Sequence, residues 1–199
     1  MDITLYEFEP TRSARVRWTL QELELPFKSI SGAELVGSDQ LREVHPMAKL
    51  PAVLIDGEAM FESAAICTHL ADCHPDRGLI PATGTRERAL HEQWTSFVQT
   101  EVEAHGWSTF RNTFLYPEER RVPAIVEQND FEQKRGLKVL DDVLAGQDYL
   151  LGDTFQVTDI IAGYTVNGAR RNEKFGDDMP NLLAWTERLR ARPHSTLMV

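Results

Sequence analysis

The sequence predicts two fold classes in one chain of 199 residues, an α/β domain over residues 1–80 and an all-α domain over residues 86–199. Three observations predict it. The first third alternates between strand-like and helix-like patterning. Proline and glycine then cluster at Pro75, Gly78, Pro81 and Gly84, which marks a linker over about residues 75–85. Beyond the linker apolar residues recur at helical spacing, and no good strand pair is visible.

Ile3, Leu5 and Glu7 oppose Thr4, Tyr6 and Phe8, which suits a short strand interrupted at Pro10. Val16, Leu20 and Leu23 follow the i, i+4, i+7 spacing of one helix face. Phe27 to Ser31 reads as a second strand, and Gln40 to Val44 as a short helix stopped by Pro46. Ala52 to Ile55 is a third strand, and Ala59 to Phe61 its return. Asp56-Gly57 between them tolerates the positive φ that a two-residue hairpin needs. Ser63 to Cys73 is a helix that ends before Pro75. The order β-α-β-α-β-β-α is that of a thioredoxin-like sheet with helices on both faces. In the second domain Thr85 to Ala104 is long and amphipathic, and Trp107 to Tyr116 is rich in aromatics. Val122 to Ala145 is a second long helix, with Pro123 tolerated in its first turn. Val157 to Arg171 and Leu182 to Ala191 complete a helical bundle.

Hydrophobic residues make up 42% of the chain and charged ones 26%, enough apolar material for a core without a disulfide or metal staple. The formal net charge of -10 argues against nucleic acid as the main partner, because phosphate binding needs clustered Lys and Arg. A small anionic ligand is still allowed where a local patch opposes the global sign. No basic stretch leads into an apolar run at the start, and no run approaches the ~20 residues of a membrane span. Cys67 and Cys73 fit neither a disulfide framework, a C-x-x-C motif nor a zinc site. Cys67 reads as a small buried hydrophobe. The expectation is a cytoplasmic protein with no metal and no membrane partner.

Three segments of the α/β domain carry residues suited to one ligand site. Pro10-Thr11-Arg12-Ser13 lies between the first strand and first helix. A helix N-terminus offers free N–H groups and partial positive charge, which lower the pKa of a thiol placed there. Thr11 or Ser13 can add a hydrogen bond to that sulfur, or can simply cap the helix. Lys49-Leu50-Pro51 precedes the third strand, and a cis bond at Pro51 would expose the Leu50 backbone to an extended peptide. At Glu62-Ser63 a helix start can receive a carboxylate while the neighbouring acid accepts from an ammonium. A plain helix cap explains Ser63 equally.

Taken together, Thr11-Arg12-Ser13-Ala14-Arg15-Val16-Arg17-Trp18, His45-Pro46-Met47-Ala48-Lys49-Leu50-Pro51-Ala52-Val53-Leu54 and Phe61-Glu62-Ser63-Ala64-Ala65-Ile66 resemble the glutathione transferase family. Tyr149 to Asp153, Phe155 and Asp159-Ile160 resemble its approach to a central C-terminal helix. Pro180-Asn181 and Trp185 resemble its last helix. The likeness covers nearly the whole chain.

The resemblance implies glutathione as co-substrate, a cis Leu50–Pro51 bond, and pairing of the cysteinyl unit with the Leu50 backbone. It implies Lys49 at the glycyl carboxylate, Glu62 and Ser63 at the γ-glutamyl end, and Arg12 in the local positive field. Thr11 is the first candidate for the thiol-activating hydroxyl and Ser13 the second. Trp107, Arg111 and Phe114 are candidates for a second-substrate pocket, with Phe110 and Tyr116 beside them. His45 stands where the family often has Asn and is expected at the surface. His91 and His105 are expected to be solvated. Gln156 stands where Ser or Thr is more usual, so a weaker helix cap is expected. The implied function is thiol activation and transfer to a small electrophilic or apolar substrate, with peroxidase, dehalogenase or isomerase variants, in a homodimer. The alternative is a non-catalytic glutathione-binding or protein-interaction module on the same fold.

Overall fold

Ile3 and Leu5 point to one side of the first strand and Tyr6 to the other, and this alternation founds the two layers that cover the sheet. The computed structural model describes residues 1–197. The strands are β1 (Ile3–Glu7), β2 (Lys28–Ser31), β3 (Ala52–Ile55) and β4 (Glu58–Phe61). They lie in the order β2-β1-β3-β4. β1 runs parallel to β2 with Leu5 opposite Ser29, and antiparallel to β3 with Leu5 opposite Val53. The β3–β4 hairpin turns at Asp56 (φ 51°) and Gly57 (φ 88°), the two positive values its sequence promised.

Helices α1 (Ser13–Glu22) and α3 (Ser63–Asp72) pack on one face, where Val16, Leu20, Ile66 and Leu70 join Ile3, Leu5 and Val53 in the main core. The short α2 (Asp39–Arg42) covers the other face, over Tyr6, Leu41, Val44 and Ala52. The main core continues without a break into the helical half, through Val98, Leu137, Leu140, Ile160, Ile161 and Trp185. That half contains α4 (Arg86–Phe97), α5 (Ala104–Phe110), α6 (Ala124–Val143), α7 (Val157–Arg171) and α8 (Pro180–Arg190).

The expected break between residues 104 and 107 is absent. α4 and α5 form one rod, joined by a π-helical segment Val98–Glu103 and extended by another, Arg111–Leu115. A π turn leaves a carbonyl poorly satisfied. Here Gln133 of α6 donates through Nε2 to the Val102 carbonyl at 3.2 Å. Gly136 allows the approach, since a Cβ there would stand 2.6 Å from the Glu101 carbonyl oxygen. The helix expected over 85–104 runs through the first π segment, and the expected break falls inside α5 instead.

His91 also departs from expectation. It is fully buried, with Nδ1 2.8 Å from Thr158 Oγ1 and Nε2 3.0 Å from Thr68 Oγ1, so it ties α4 to α7 and α3. Burial lowers its pKa, and a neutral ring suits two hydroxyl partners.

Before α7 the fold depends on Asp159. Its buried carboxylate accepts the Leu150 N–H (2.9 Å), the Gln156 N–H (3.0 Å) and the Trp185 indole N–H (3.1 Å). Burial raises its carboxyl to about 6 even against these three donors. The Gln156 amide oxygen is buried without a hydrogen-bond partner among the described residues, so Asp159 supplies the helix start that Gln156 does not. Replacing Asp159 by Ala strands three donors and is expected to cost on the order of 3 kcal/mol in urea denaturation. Asp159→Asn keeps an acceptor oxygen and is expected to lose less. Equal stability of Asp159→Ala and the parent chain would contradict this role.

Candidate functional site

Three loop ends of the α/β half meet the α4–α5 rod around a cleft of about 230 Å³. Arg12, His45, Lys49, Leu50, Pro51, Glu62 and Ser63 line it from one side. Gln99, Glu103, Ala104 and Trp107 line it from the other. All six residues expected to hold glutathione therefore share one wall, although they come from three separate segments. A larger cleft of about 390 Å³ lies at the far end of the helical half, between Leu144 and Arg188. It gathers none of the expected residues, and its Arg188 is engaged with Asp148.

The sheet side of the cleft carries two unusual backbone features. Leu50–Pro51 is cis, as is Glu9–Pro10, which the sequence reading did not anticipate. Neither backbone group of Leu50 has a hydrogen-bond partner among the described residues, so both can pair with a peptide lying alongside. Glu62 holds φ 71° and ψ 104°, a conformation that L side chains seldom adopt and that clusters at functional sites. Ser63 follows as the first residue of α3 and is 3% exposed. Arg15 Nη1 donates to its Oγ at 3.1 Å. The oxygen is thus already accepting, and the Ser63 hydroxyl proton is left to donate to a ligand carboxylate.

Beneath Ser63 lies a buried charge cluster that no local pattern in the sequence disclosed. Arg15 has a fully buried side chain. Its guanidinium donates to Glu103 Oε2 (2.8 Å) and Oε1 (3.4 Å), to Thr165 Oγ1 (2.6 Å) and to the Ile161 carbonyl (2.9 Å). Arg12 Nε donates to the same Glu103. Burial alone would raise the Glu103 carboxyl, but Arg15 and then Arg12 overcome it and hold the group at about 2. Two guanidiniums facing one carboxylate leave one net positive charge at the cleft floor.

The hydroxyls of Thr11 and Ser13 are engaged with each other and lie outside the cleft wall. Thr11 Oγ1 donates to the Phe8 carbonyl (2.5 Å). With that proton committed, Ser13 Oγ must donate to Thr11 Oγ1 across 2.7 Å. Ser13 Oγ in turn accepts from the Phe8 N–H (3.4 Å), which closes a ring. Ser13 is fully buried, whereas Thr11 is half-buried.

His45 is not at the surface. It is 6% exposed, lines the cleft, and leans on the Phe61 ring at 4.8 Å. Its Nδ1 accepts the Met47 N–H at 3.1 Å, so the neutral ring carries its proton on Nε2. Burial lowers its pKa, with Glu62 opposing and Lys49 assisting.

Of the residues expected in a second-substrate pocket, only Trp107 lines the cleft. The Arg12 guanidinium sits over its ring at 5.0 Å. Arg111 packs against Trp107 and Tyr116 at 5.8 and 5.7 Å, and Phe114 is 70% exposed beyond Phe110. Gln99, Glu103 and Trp107 escaped the sequence reading as a set, yet their four-residue spacing on one rod was available as a signal. Buried Cys67 has its thiol pushed up to about 12 by burial, which suits the hydrophobe expected there. Among the described residues no cluster of three His, Cys, Asp or Glu could hold a metal ion, and no helix is long and apolar enough to cross a membrane.

This sheet, its cis turn and a helical half closing an anion-receptive cleft define a glutathione-transferase class of protein, and comparison with known proteins agrees. Residues 5–78 match the family described as "Glutathione S-transferase, N-terminal domain", and residues 103–193 its C-terminal domain. Protein LigF of Sphingobium sp. is 30% identical over 97% of this chain and 91% of its own. The structure of that beta-etherase superposes with a TM-score of 0.81 at 25% identity, covering 98% and 97% of the two chains. Glutathione S-transferase F13 of Arabidopsis thaliana is 31% identical over 75% of this chain and 71% of its own. The theta class enzyme of Xanthomonas axonopodis pv. citri, solved with glutathione bound, superposes with a TM-score of 0.82 at 25% identity, covering 99% and 97%. The chain belongs to the glutathione S-transferase family. It is accordingly a glutathione-binding enzyme of the transferase type.

The charge cluster has a pH signature. A carboxyl whose folded pKa lies below its unfolded value contributes stability above the unfolded pKa and loses it as pH falls through the folded one. For Glu103 that window runs from 4.5 down to about 2. Glu103→Gln is expected to lose on the order of 3 kcal/mol at neutral pH, with the gap to the parent chain narrowing across that window. A gap independent of pH in acid denaturation would contradict the assignment.

Proposed function

We propose that glutathione lies along the sheet side of the cleft, with its thiol near the start of α1 and its γ-glutamyl end at the start of α3. One observation carries this reading: Arg12, Lys49, Leu50, Pro51, Glu62 and Ser63, expected from three separate segments, line a single cleft. The cysteinyl backbone pairs with the free N–H and C=O of Leu50, as an added strand would. The γ-glutamyl carboxylate accepts from the Ser63 hydroxyl and the free N–H groups of α3, and the Glu62 carboxylate takes the ammonium. Lys49 meets the glycyl carboxylate.

The thiol gives its proton to water, and the thiolate attacks an electrophilic carbon against Trp107. A carbon–sulfur bond forms, the bond to the leaving group breaks, and the leaving group departs with the electron pair. The relation to a beta-etherase supports an ether among the second substrates, with the ether oxygen as leaving group. A homodimer and a cytoplasmic setting belong to the same reading.

Calorimetry should show glutathione binding, and Ser63→Ala or Glu62→Ala should each weaken it about tenfold, the effect of losing roughly 1.4 kcal/mol of hydrogen bonding. No heat at millimolar glutathione would overturn the pose. Turnover is then read with aryl halides, an aromatic β-ether and hydroperoxides. Light scattering is expected to give twice the chain mass of 22.6 kDa, and the chain mass alone would refute the dimer.

A further inference from the structure

We propose that Arg12 is a catalytic residue, the group that stabilises the glutathione thiolate, and that Thr11 and Ser13 serve to shape the turn that presents it. The inference rests on the glutathione pose above and goes beyond it by assigning the activating group.

The hydroxyl ring comes first. Thr11 has one proton, and it goes to the Phe8 carbonyl at 2.5 Å. Ser13 has one proton, and it goes to Thr11 at 2.7 Å. The Thr11 oxygen also accepts the Ser13 N–H at 3.2 Å. Donation from either hydroxyl to a sulfur would break a bond inside this turn, and Ser13 is fully buried. The pair ties the turn that leads into α1.

Arg12 presents the opposite case. It lines the cleft, and its side chain is 34% exposed. Glu103 takes its Nε, and Trp107 supports the guanidinium plane at 5.0 Å. Neither terminal nitrogen has a hydrogen-bond partner among the described residues. A guanidinium held at its Nε with an aromatic ring at 5.0 Å leaves its two NH₂ groups as the free edge.

The charge count agrees. Arg15 occupies both oxygens of Glu103, at 2.8 and 3.4 Å. Glu103 thus stays neutralised when Arg12 turns its free edge to an anion, and the surplus positive charge is available to a thiolate. The other charged or titratable groups facing the cleft are Lys49, His45 and Glu62. Lys49 and Glu62 offset each other, and His45 has its neutral form favoured by burial. In the step itself the thiol S–H bond breaks, the proton passes to water, and the sulfur keeps the electron pair under the Arg12 NH₂ groups. The thiolate then displaces the leaving group as described.

The test is the pKa of glutathione bound to the full-length protein, read from the ultraviolet absorbance of the thiolate at saturating glutathione across pH. Loss of a cation beside a thiolate costs it about 1 to 3 pH units, so Arg12→Met is expected to raise the bound-thiol pKa by about 1 to 2 pH units. The pH profile of kcat/KM should move by the same amount. Arg12→Lys should restore part of the shift, and Thr11→Val, which only loosens the turn, should move the pKa by less than Arg12→Met does. Thermal melting of each variant separates this from a folding defect, because Arg12 is partly exposed and Arg15 retains Glu103. A pKa unmoved by Arg12→Met, or raised by Thr11→Val with Arg12→Lys inert, overturns the proposal. Absence of glutathione binding by the parent chain overturns the underlying pose instead.

Discussion

The carboxylate of Glu103, shared between Arg12 and Arg15, is the interaction on which the rest of the structure depends. It sits on the π-helical segment of the long rod; Arg12 immediately precedes α1 and Arg15 lies in its first turn. Burying the Arg15–Glu103 pair is costly, and such a pair offsets its desolvation only when its remaining donors and acceptors are filled. Here they are: Arg15 also reaches Ser63, Thr165 and the Ile161 carbonyl. The cluster therefore joins α1, α3, α7 and the rod at one point, directly under the cleft. Gly136 and Gln133 of α6 support the rod just behind it.

In the proposed pose that arrangement divides holding from activating. On the holding side, the Leu50 backbone and the Ser63 proton have no partners among the described residues, and the strained Glu62 is fixed at the start of α3. Such unsatisfied and strained groups are affordable at a ligand site because a ligand completes them. On the activating side, the hydroxyls that a sequence comparison would choose are closed into a ring, while a guanidinium presents an open edge. An acidic chain can attract an anionic tripeptide because the local balance at the cleft floor is positive.

Sequence showed most of the fold because its signals were local. The Asp56-Gly57 turn needs only two residues, and the periodicities of β1, α1 and α7 are read within a single element. The gathering of Arg12, Lys49, Leu50, Pro51, Glu62 and Ser63 at one cleft was legible for the same reason: each of the three segments carries its own motif, and the resemblance supplied their convergence. What sequence hid was long-range. Glu103 looks like any acid on a solvated helix until Arg15, 88 positions earlier, is seen against it. His91 looked solvated because its partners Thr68 and Thr158 lie on other helices. His45 looked superficial because the Phe61 ring that shelters it belongs to another segment. The rod looked like two helices although the expected break, at 104–107, falls inside the regular turns of α5.

The most direct test of this account is a crystal structure of the protein with glutathione bound. The account predicts the cysteinyl backbone paired with Leu50, the γ-glutamyl carboxylate on Ser63, and the sulfur within hydrogen-bonding reach of the Arg12 NH₂ groups while Glu103 remains on Arg15. Glutathione seated elsewhere, or in the cleft with its sulfur on an opened Thr11 hydroxyl and Arg12 turned away, would contradict it.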